Sequence, residues 1–364
     1  MPNSNNDKSI IIIGAGFAGL AAGIYAQMNG YKTQIFEMHD KPGGLCTSWR
    51  RKGYTIDACI HWLVGSSPKS NLHDFWEEVG IAQGREFINM DEYMHFESPD
   101  GRVLTFYTDV DRLEKSLLEF SPADREQIIE FIDGIRMCLS FDQPSKQTPV
   151  VKRLMKKTRL VFGLIKNGKK MQQWMKITSS DFASRFKNPL LRKALEEIWI
   201  PEFSMLFMFF TFAYLHTKNA GYPLGGSMPM SQAMEKRYTD LGGIINYNKR
   251  VDKIITENAS IVINLLDQRF PGISSQVEMI DVATPMTFER YTGNWKGSFE
   301  GWLITPENAN VVMKPMSQSL PGLSNFYMCG QWVEPGGGLP TGVMSGRRLI
   351  KALCKDDHRK FITK

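Results

Sequence analysis

The sequence predicts an α/β fold: a parallel sheet packed against helices and interrupted by a largely helical insertion. Three observations carry that expectation. Near the start, the β-branched run Ile10–Ile13 leads straight into GAGFAGL, the order of a strand, a glycine turn and a helix. Near the far end, Asn325–Leu353 (NFYMCGQWVEPGGGLPTGVMSGRRLIKAL) repeats that order. Between the two, apolar residues recur at the spacing of helices rather than in strict alternation.

Composition narrows the class further. With 364 residues, 42% apolar and 23% charged, the chain has material for two or three structural units with ordinary cores, which excludes a collagenous or mostly disordered protein. The five cysteines (Cys46, Cys59, Cys138, Cys329, Cys354) form no CxxC pair. Neither a zinc knuckle nor a disulfide framework is expected, and a reducing cytoplasm fits. The start MPNSNNDKS is polar and the apolar run behind it is too short for a secretory h-region. The longest apolar stretch, Ile200 to Leu215, contains Glu202 and is too short to cross a bilayer.

The opening segment is read residue by residue. Ile10–Ile13 has the pattern of a central strand buried on both faces. Gly14 permits the tight turn, Gly16 lets backbone approach a pyrophosphate, and Gly19 lets the following helix, Leu20 to Asn29, pack closely on the strand. That helix stops at Gly30. Thr33 to Glu37 reads as the second strand, and its terminal carboxylate is placed to accept from ribose hydroxyls. A strand-turn-helix without ligand is the bland alternative, but glycines, helix and acid together indicate a Rossmann-type dinucleotide site. A second glycine pair, Gly43 and Gly44 in KPGGLCTSW, follows. In glutathione-reductase-like flavoproteins such a loop runs beside the FAD phosphates and ribityl arm, so FAD is the expected cofactor.

The middle of the chain is helical. Ser121 to Leu139 opens with an N-cap serine and a proline, then places Ile128, Ile129, Ile132, Ile135 and Leu139 on one stripe. Ten cations and no acid lie between Gln143 and Ser180, so removing that segment turns the net charge of +6 into −4. There Val151, Leu154, Met155, Thr158, Val161, Phe162 and Ile165 share one helical face, with Lys152, Arg153, Lys156, Lys157 and Arg159 elsewhere. This basic amphipathic helix, near 150–170, reads either as a solvated face on a packed helix or as a dock for an anionic membrane surface, the latter favoured. Nucleic acid is not expected, since no recognised module is present. Phe203 to Leu215, crowded with Met and Phe, reads first as core and second as the lining of a channel for a long apolar substrate. After Ser227, a helix from Met228 to Leu241 and a strand from Ile244 to Ile255 return the chain to the sheet.

GAGFAGL with Glu37, the Gly43–Gly44 pair, GYPLGGSMPMSQAM (Gly221 to Met234), ATPMTFERYTGN (Ala283 to Asn294) and GQWVEPGGGLPTGVMSGR (Gly330 to Arg347) occur in the order of one family. The chain resembles the phytoene desaturase family of FAD-dependent oxidoreductases, which includes carotenoid desaturases, carotenoid isomerases and retinol-saturase-like enzymes. The resemblance implies a glutathione-reductase-like FAD-binding domain assembled from 1–66, 221–258 and 321–364. It also implies a helical substrate and membrane insertion over 67–220 and a remnant of the substrate domain over 259–320. It puts Gly14, Gly16, Gly19, Glu37, Gly43, Gly44, Val251, Gly330, Thr341, Gly342 and Val343 against FAD, with Val251 beside the adenine. Two positions depart from the family: Leu45 stands where an arginine is frequent, and Gln331 stands where an aspartate often holds the ribityl chain. Near Asn258 and Ala259 a domain-sized internal segment of the family is missing.

The implied chemistry is hydride transfer between flavin and a long polyene or isoprenoid, giving desaturation, isomerisation or saturation at a peripheral membrane site. Such chemistry needs orientation and water exclusion more than an acid-base dyad, and no Ser-His-Asp set, paired carboxylate or metal cluster stands out. His61 and Glu334 are the two candidate catalytic residues. His61 is read either as a structural histidine, the favoured reading, or as a group stabilising flavin charge or shuttling a proton. Two rival functions stay open: an amine- or porphyrinogen-oxidase-like flavoenzyme, and a non-catalytic, membrane-associated flavin-binding remnant.

Overall fold

The computed structural model describes residues 8–251 apart from 53, 58, 99–100, 142–144 and 146–148, and then 302, 305, 316–319, 323, 325–334 and 336–364. The strand expected over Ile244–Ile255 ends at Asn246, where the chain turns; residues 252–255, the break at Asn258 and Ala259, and the ATPMTFERYTGN motif lie outside the described residues. The chain divides into two compact units: Met1–Cys59 with Ser227–Trp302 and Pro315–Lys364, and Ile60–Gly226 with Leu303–Lys314.

Numbered along the chain, the first unit opens with β1 (Ser9–Ile13), α1 (Phe17–Met28), β2 (Lys32–Phe36) and the strands β3 (Ser48–Arg51) and β4 (Tyr54–Asp57). The second unit contributes β5 (Leu63–Val64), α2 (Asn71–Glu78), β6 (Phe87–Ile88), β7 (Glu92–Glu97), β8 (Val103–Tyr107), α3 (Val110–Phe120) and α4 (Arg125–Cys138). It continues with α5 (Val150–Met175), α6 (Ser179–Ala183), α7 (Pro189–Glu197), α8 (Met205–His216) and β9 (Ala220–Pro223). The chain returns to the first unit with α9 (Ser227–Asp240), β10 (Ile244–Asn246) and a last helix, α10 (Gly338–Asp356).

In the first unit, β1, β2 and β10 form a parallel sheet in that order. Ile12 and Ile35 pair across it and are buried, Ile35 fully. Ile11 and Ile244 both align with Gln34, yet they are 71% and 53% exposed. The expectation that Ile10–Ile13 is buried on both faces is therefore corrected: among the described residues β1 is an edge strand covered on one face only. Alternation sends Ile12 one way and Ile11 the other, so an unbroken apolar run does not by itself report two-sided burial. Helix α1 is almost wholly buried and begins at Phe17, three residues before Leu20, because Gly16 is its N-cap. Gly19 consequently lies inside its first turn.

Helix α1 packs on this sheet, and α9 and α10 pack against α1 through small residues. A Cβ on Gly346 of α10 would stand 2.7 Å from the Ala22 amide nitrogen and 2.9 Å from the Ala18 carbonyl oxygen. A Cβ on Gly23 would meet the Tyr238 ring at 2.7 Å, and one on Gly243 would meet it at 2.2 Å. Tyr238 fills that space completely and shares a 2.7 Å hydrogen bond with Thr33 Oγ1. Two expectations for the last segment change. Among the described residues no strand runs up to Gly330, only an isolated antiparallel bridge between Ser319 and Tyr327. The helix starts at Gly338, so Thr341 and Gly342 are its fourth and fifth residues rather than its start. Beyond α10 the chain folds back onto the end of α1, where Asn29 donates from Nδ2 to the Ile362 carbonyl at 2.9 Å and accepts from the Ile362 amide at 2.7 Å.

The second unit is mixed rather than simply helical, with a small antiparallel sheet β5-β9-β6 and a hairpin β7–β8 beside its helices. Leu63 pairs with Gly221 and Val64 with Ala220. That pairing holds both ends of the insertion together, and boundaries expected at 66 and 220 fall instead at Cys59/Ile60 and Gly226/Ser227. The Met- and Phe-rich segment forms α8, whose Met205, Met208, Phe209 and Phe212 are fully buried. Gly134 of α4 admits the Phe209 ring, since a Cβ there would lie 2.5 Å from it. A cavity of about 10 Å³ beside Phe210 and Tyr214 has room for roughly one water. Core packing is what α8 does here. The segment expected as one helix from Ser121 to Leu139 begins instead as a 3-10 turn, Pro122–Asp124, and ends in another, Leu139–Phe141. No described helix is long and apolar enough to cross a membrane.

Candidate functional site

The site is a glycine-lined cradle in the first unit. Gly14, at φ +94°, makes the turn out of β1, and its amide donates to the Phe36 carbonyl at 2.8 Å. Gly19 cannot be replaced without displacing that turn, because a Cβ would stand 2.1 Å from the Gly14 carbonyl oxygen. Gly16 is different: a Cβ there would meet nothing within 4 Å, so its hydrogen faces open space at the N-terminus of α1. A helix N-terminus with free amides beside such a space suits a phosphate.

Glu37 closes one side and is only 5% exposed. Its Oε2 accepts from the Ala15 amide at 2.6 Å and its Oε1 from the His39 amide at 2.9 Å. Each oxygen keeps a further acceptor position, so the carboxylate can hold the turn and still receive a hydroxyl. The stretch leading to Val251 runs alongside, with the Lys249 amide donating to the Glu37 carbonyl at 2.8 Å. Val251 itself is 36% exposed.

The second glycine pair docks on the first loop. The Gly43 amide donates to the Ala15 carbonyl at 2.9 Å, and Gly16 and Gly43 form a parallel bridge. Gly43 and Gly44 have φ of +113° and +60°, left-handed values that a side chain would resist. Ser231 of α9 donates to the Cys46 carbonyl, fixing the far side of the turn. Next to it, Thr47 Oγ1 is buried without a hydrogen-bond partner.

The closing segment arrives at the same place. Gly330, at φ +123°, donates its amide to Ser345 Oγ at 2.9 Å. A Cβ on Gly342 would lie 3.6 Å from the Ala18 amide nitrogen, so α10 near its N-terminal end touches the first turn of α1. Val343 is fully buried, Thr341 hydrogen-bonds back to Gly337 and Gly338, and Gln331 is half-buried in the turn after Gly330. The cradle thus brings together Gly14, Gly16, Gly19, Glu37, Gly43, Gly44, Gly330, Thr341, Gly342 and Val343. An open face at Gly16, an unpartnered Thr47 hydroxyl and two meeting helix N-termini fit a bound dinucleotide.

The two catalytic candidates fall in different units. Glu334 lies in the turn after Gly330, its side chain 12% exposed and its Oε2 3.0 Å from an Arg348 amino nitrogen, close enough for an ion pair but not aligned for a hydrogen bond. Burial raises its carboxyl above the usual range, against the opposing pull of Arg348. Arg348 also reaches Gln318 Oε1 at 3.0 Å and the Val333 carbonyl at 3.2 Å, so the pair braces this turn. His61, in the second unit, is exposed, with its ring 6.0 Å from that of Trp62.

Sequence reasoning passed over Thr47, Ser345 and the Asp57–Ser227 contact. Ser345 was findable, since Gly342, Ser345 and Gly346 make a small-residue stripe at helical spacing, the mark of a close helix contact. Asp57, whose Oδ1 accepts from Ser227 Oγ at 2.7 Å at the start of α9, has no local signal.

Sheet, glycine turns and buried acid define a Rossmann-type dinucleotide-binding protein, and the model of the NAD(P)-binding Rossmann-like domain matches residues 12–79. The relatives are more particular. Phytoene desaturase (lycopene-forming) of Pseudescherichia vulneris is 28% identical over 79% of this chain and 58% of its own length. Prolycopene isomerase of Daucus carota is 24% identical over 71% of this chain and 43% of its own, and all-trans-retinol 13,14-reductase of Danio rerio is 24% identical over 71% and 44%. Over most of its length the chain is therefore similar to phytoene desaturases and to the isomerase and reductase related to them. It spans little more than half the length of the first of these relatives.

Proposed function

We propose that this chain binds FAD in the cradle and exchanges hydride between the flavin and a long apolar polyene or isoprenoid. The observation that carries the reading is the meeting of three glycine segments, from opposite ends of the chain, at the touching N-termini of α1 and α10. Relatives named as desaturase, isomerase and reductase of polyenes supply the substrate class. Bound FAD would supply the hydride chemistry. The chain's own part is to hold and orient. Gly14, Gly16 and Gly19 with the amides of α1 take the pyrophosphate, Glu37 the ribose, Val251 the adenine side, and Gly43, Gly44 and Thr47 the adjoining phosphate and ribityl oxygens. Gly330, Gln331, Thr341, Gly342 and Val343 take the ring end. Glu334 acts through Arg348, positioning the turn that carries Gln331, and the exposed ring of His61 is free to pass a proton to solvent.

The second unit is assigned the apolar substrate, and α5 the membrane surface from which that substrate comes. Leu154 and Met155 on the apolar face of α5 are 63% and 66% exposed, while Trp174 near its end is buried. Exposed Lys166, Lys169 and Lys170 accompany them. Two apolar side chains left in solvent, with exposed lysines further along the same helix, suit an anionic bilayer.

The test begins with the absorption spectrum of purified protein, with and without added FAD. Flavin absorbance that stays with the protein through gel filtration, and that an apolar polyene bleaches without oxygen while amines do not, is the expected result. Bleaching by amines or a porphyrinogen selects the oxidase reading, and bound flavin that nothing bleaches selects the non-catalytic one. Protein that stays colourless with FAD in excess defeats the proposal.

A further inference from the structure

Two cysteines outside the proposed chemistry face each other behind the second glycine pair. Cys46 ends the turn that begins at Gly43 and is 1% exposed. Cys59 follows β4 and is half-buried, its amide donating to Asp57 Oδ1 at 3.1 Å. Strands β3 and β4 are antiparallel, with Ser48 opposite Asp57. Cys46 stands two residues before Ser48 and Cys59 two residues after Asp57, so continuing the register past the strand ends brings them towards each other; the two thiols are close enough to interact, while Cys46 Sγ also donates to the Ser227 carbonyl at 3.7 Å. Directly opposed residues of an antiparallel pair hold their Cβ atoms about 4.5–5.5 Å apart. A disulfide needs about 3.5–4.5 Å, a small adjustment. No other thiol shares in the contact: Cys138 and Cys354 are buried elsewhere, and Cys329 lies in the closing segment.

We propose that Cys46 and Cys59 are a redox-active dithiol site that a peroxide oxidant converts into an intramolecular disulfide. The half-buried Cys59 thiol gives up its proton and its sulfur attacks one oxygen of hydrogen peroxide; the O–O bond breaks, Cys59 becomes a sulfenic acid, and the departing hydroxide takes up the thiol proton and leaves as water. Cys46 sulfur then attacks Cys59 sulfur; the S–S bond forms, the S–O bond breaks, and the departing hydroxide leaves as a second water with the Cys46 proton. Two thiols lose two electrons and peroxide gains them. The order follows from environment, since the neighbouring Cys59 thiol and burial both push the Cys46 thiol far up, keeping it protonated until a sulfenic acid stands beside it. The cross-link would fasten the end of the turn whose Gly43 bridges Gly16, and it forms whether or not the FAD reading holds.

The experiment treats the folded protein with equimolar hydrogen peroxide, alkylates remaining thiols in denaturant and maps the peptides. Loss of two of the five thiols, a mass lower by about 2 Da, a Cys46–Cys59 linked peptide and reversal by dithiothreitol are expected. Cys59→Ser, at a half-buried position, should keep the fold by circular dichroism and retain its remaining four thiols. Cys59 over-oxidised to sulfinic acid beside an intact Cys46 thiol, thiols lost at other positions, or no loss at all would overturn the proposal.

Discussion

Glu37 does at residue scale what the chain ends do at large scale: it joins segments that must meet. Its buried carboxylate accepts two backbone amides from either side of the β2 terminus. Glu37→Gln keeps the shape but turns one acceptor into a donor facing an amide, which should destabilise the protein by about 2 kcal/mol. Thermal unfolding checks the stability. Calorimetric FAD titration of the refolded variant should show at least tenfold weaker binding, and unchanged affinity would remove the ribose role. In the second unit Asp124 is fully buried and accepts from Ser121 Oγ at 2.7 Å and from the Lys187 and Asn188 amides at 2.6 and 2.9 Å. Burial acts to raise its carboxyl, but those hydrogen bonds outweigh it and hold the group below its ordinary value. A depressed carboxyl lends stability that is complete above its unfolded pKa of about 4 and is lost as pH falls through the lower folded value. Asp124→Ala should cost about 3 kcal/mol at pH 7 and much less at pH 2, read as the difference in denaturant midpoint. Equal losses at both pH values would show that the charge contributes nothing.

Elements are legible in the sequence where a local demand sets them. The first βαβ unit falls in that class, because Gly14, Gly16, Gly19 and Glu37 each answer a constraint from a neighbour within one turn or one strand. Element ends are less legible. Helix α1 starts at its cap rather than at its first apolar stripe, and α10 starts three residues before Thr341, at a glycine that a propensity argument would leave in the loop. Long-range contacts are not legible at all: Asp57 and Ser227, or Gly134 and Phe209, find each other only through the fold. That makes Gly346 and Gly134 informative. Gly346→Ala would drive a Cβ into α1 backbone that cannot yield, and should cost about 1–3 kcal/mol. It should also weaken FAD binding, because α1 and α10 meet at the cradle. Gly134→Ala presses on the Phe209 ring instead, and should lower stability without touching cofactor affinity. A loss of affinity in the second variant, or its retention in the first, would argue against the placement of the site.

At the scale of the whole molecule, the first unit is assembled from three separate stretches of chain and the second is inserted between them. The basic segment belongs to that insertion, and composition alone located it. What composition did not reveal is that Leu154 and Met155 would be left outside the core. Replacing Lys166, Lys169 and Lys170 by Gln should weaken binding to phosphatidylserine vesicles about a hundredfold, by co-sedimentation at low salt. Equal binding by the variant, or binding that ignores salt, would leave α5 as an ordinary solvated helix.

The clasp between Asn29 and Ile362 bears on how such a chain comes off the ribosome. A single side chain near the beginning, which also donates to the Tyr25 carbonyl within its own helix, holds both backbone groups of a residue more than three hundred positions later. The nascent nucleotide-binding unit therefore waits, with its first helix unfastened at one end, while the inserted unit emerges and can fold ahead of it. A chaperone that shields apolar segments early in translation would be most useful during that interval.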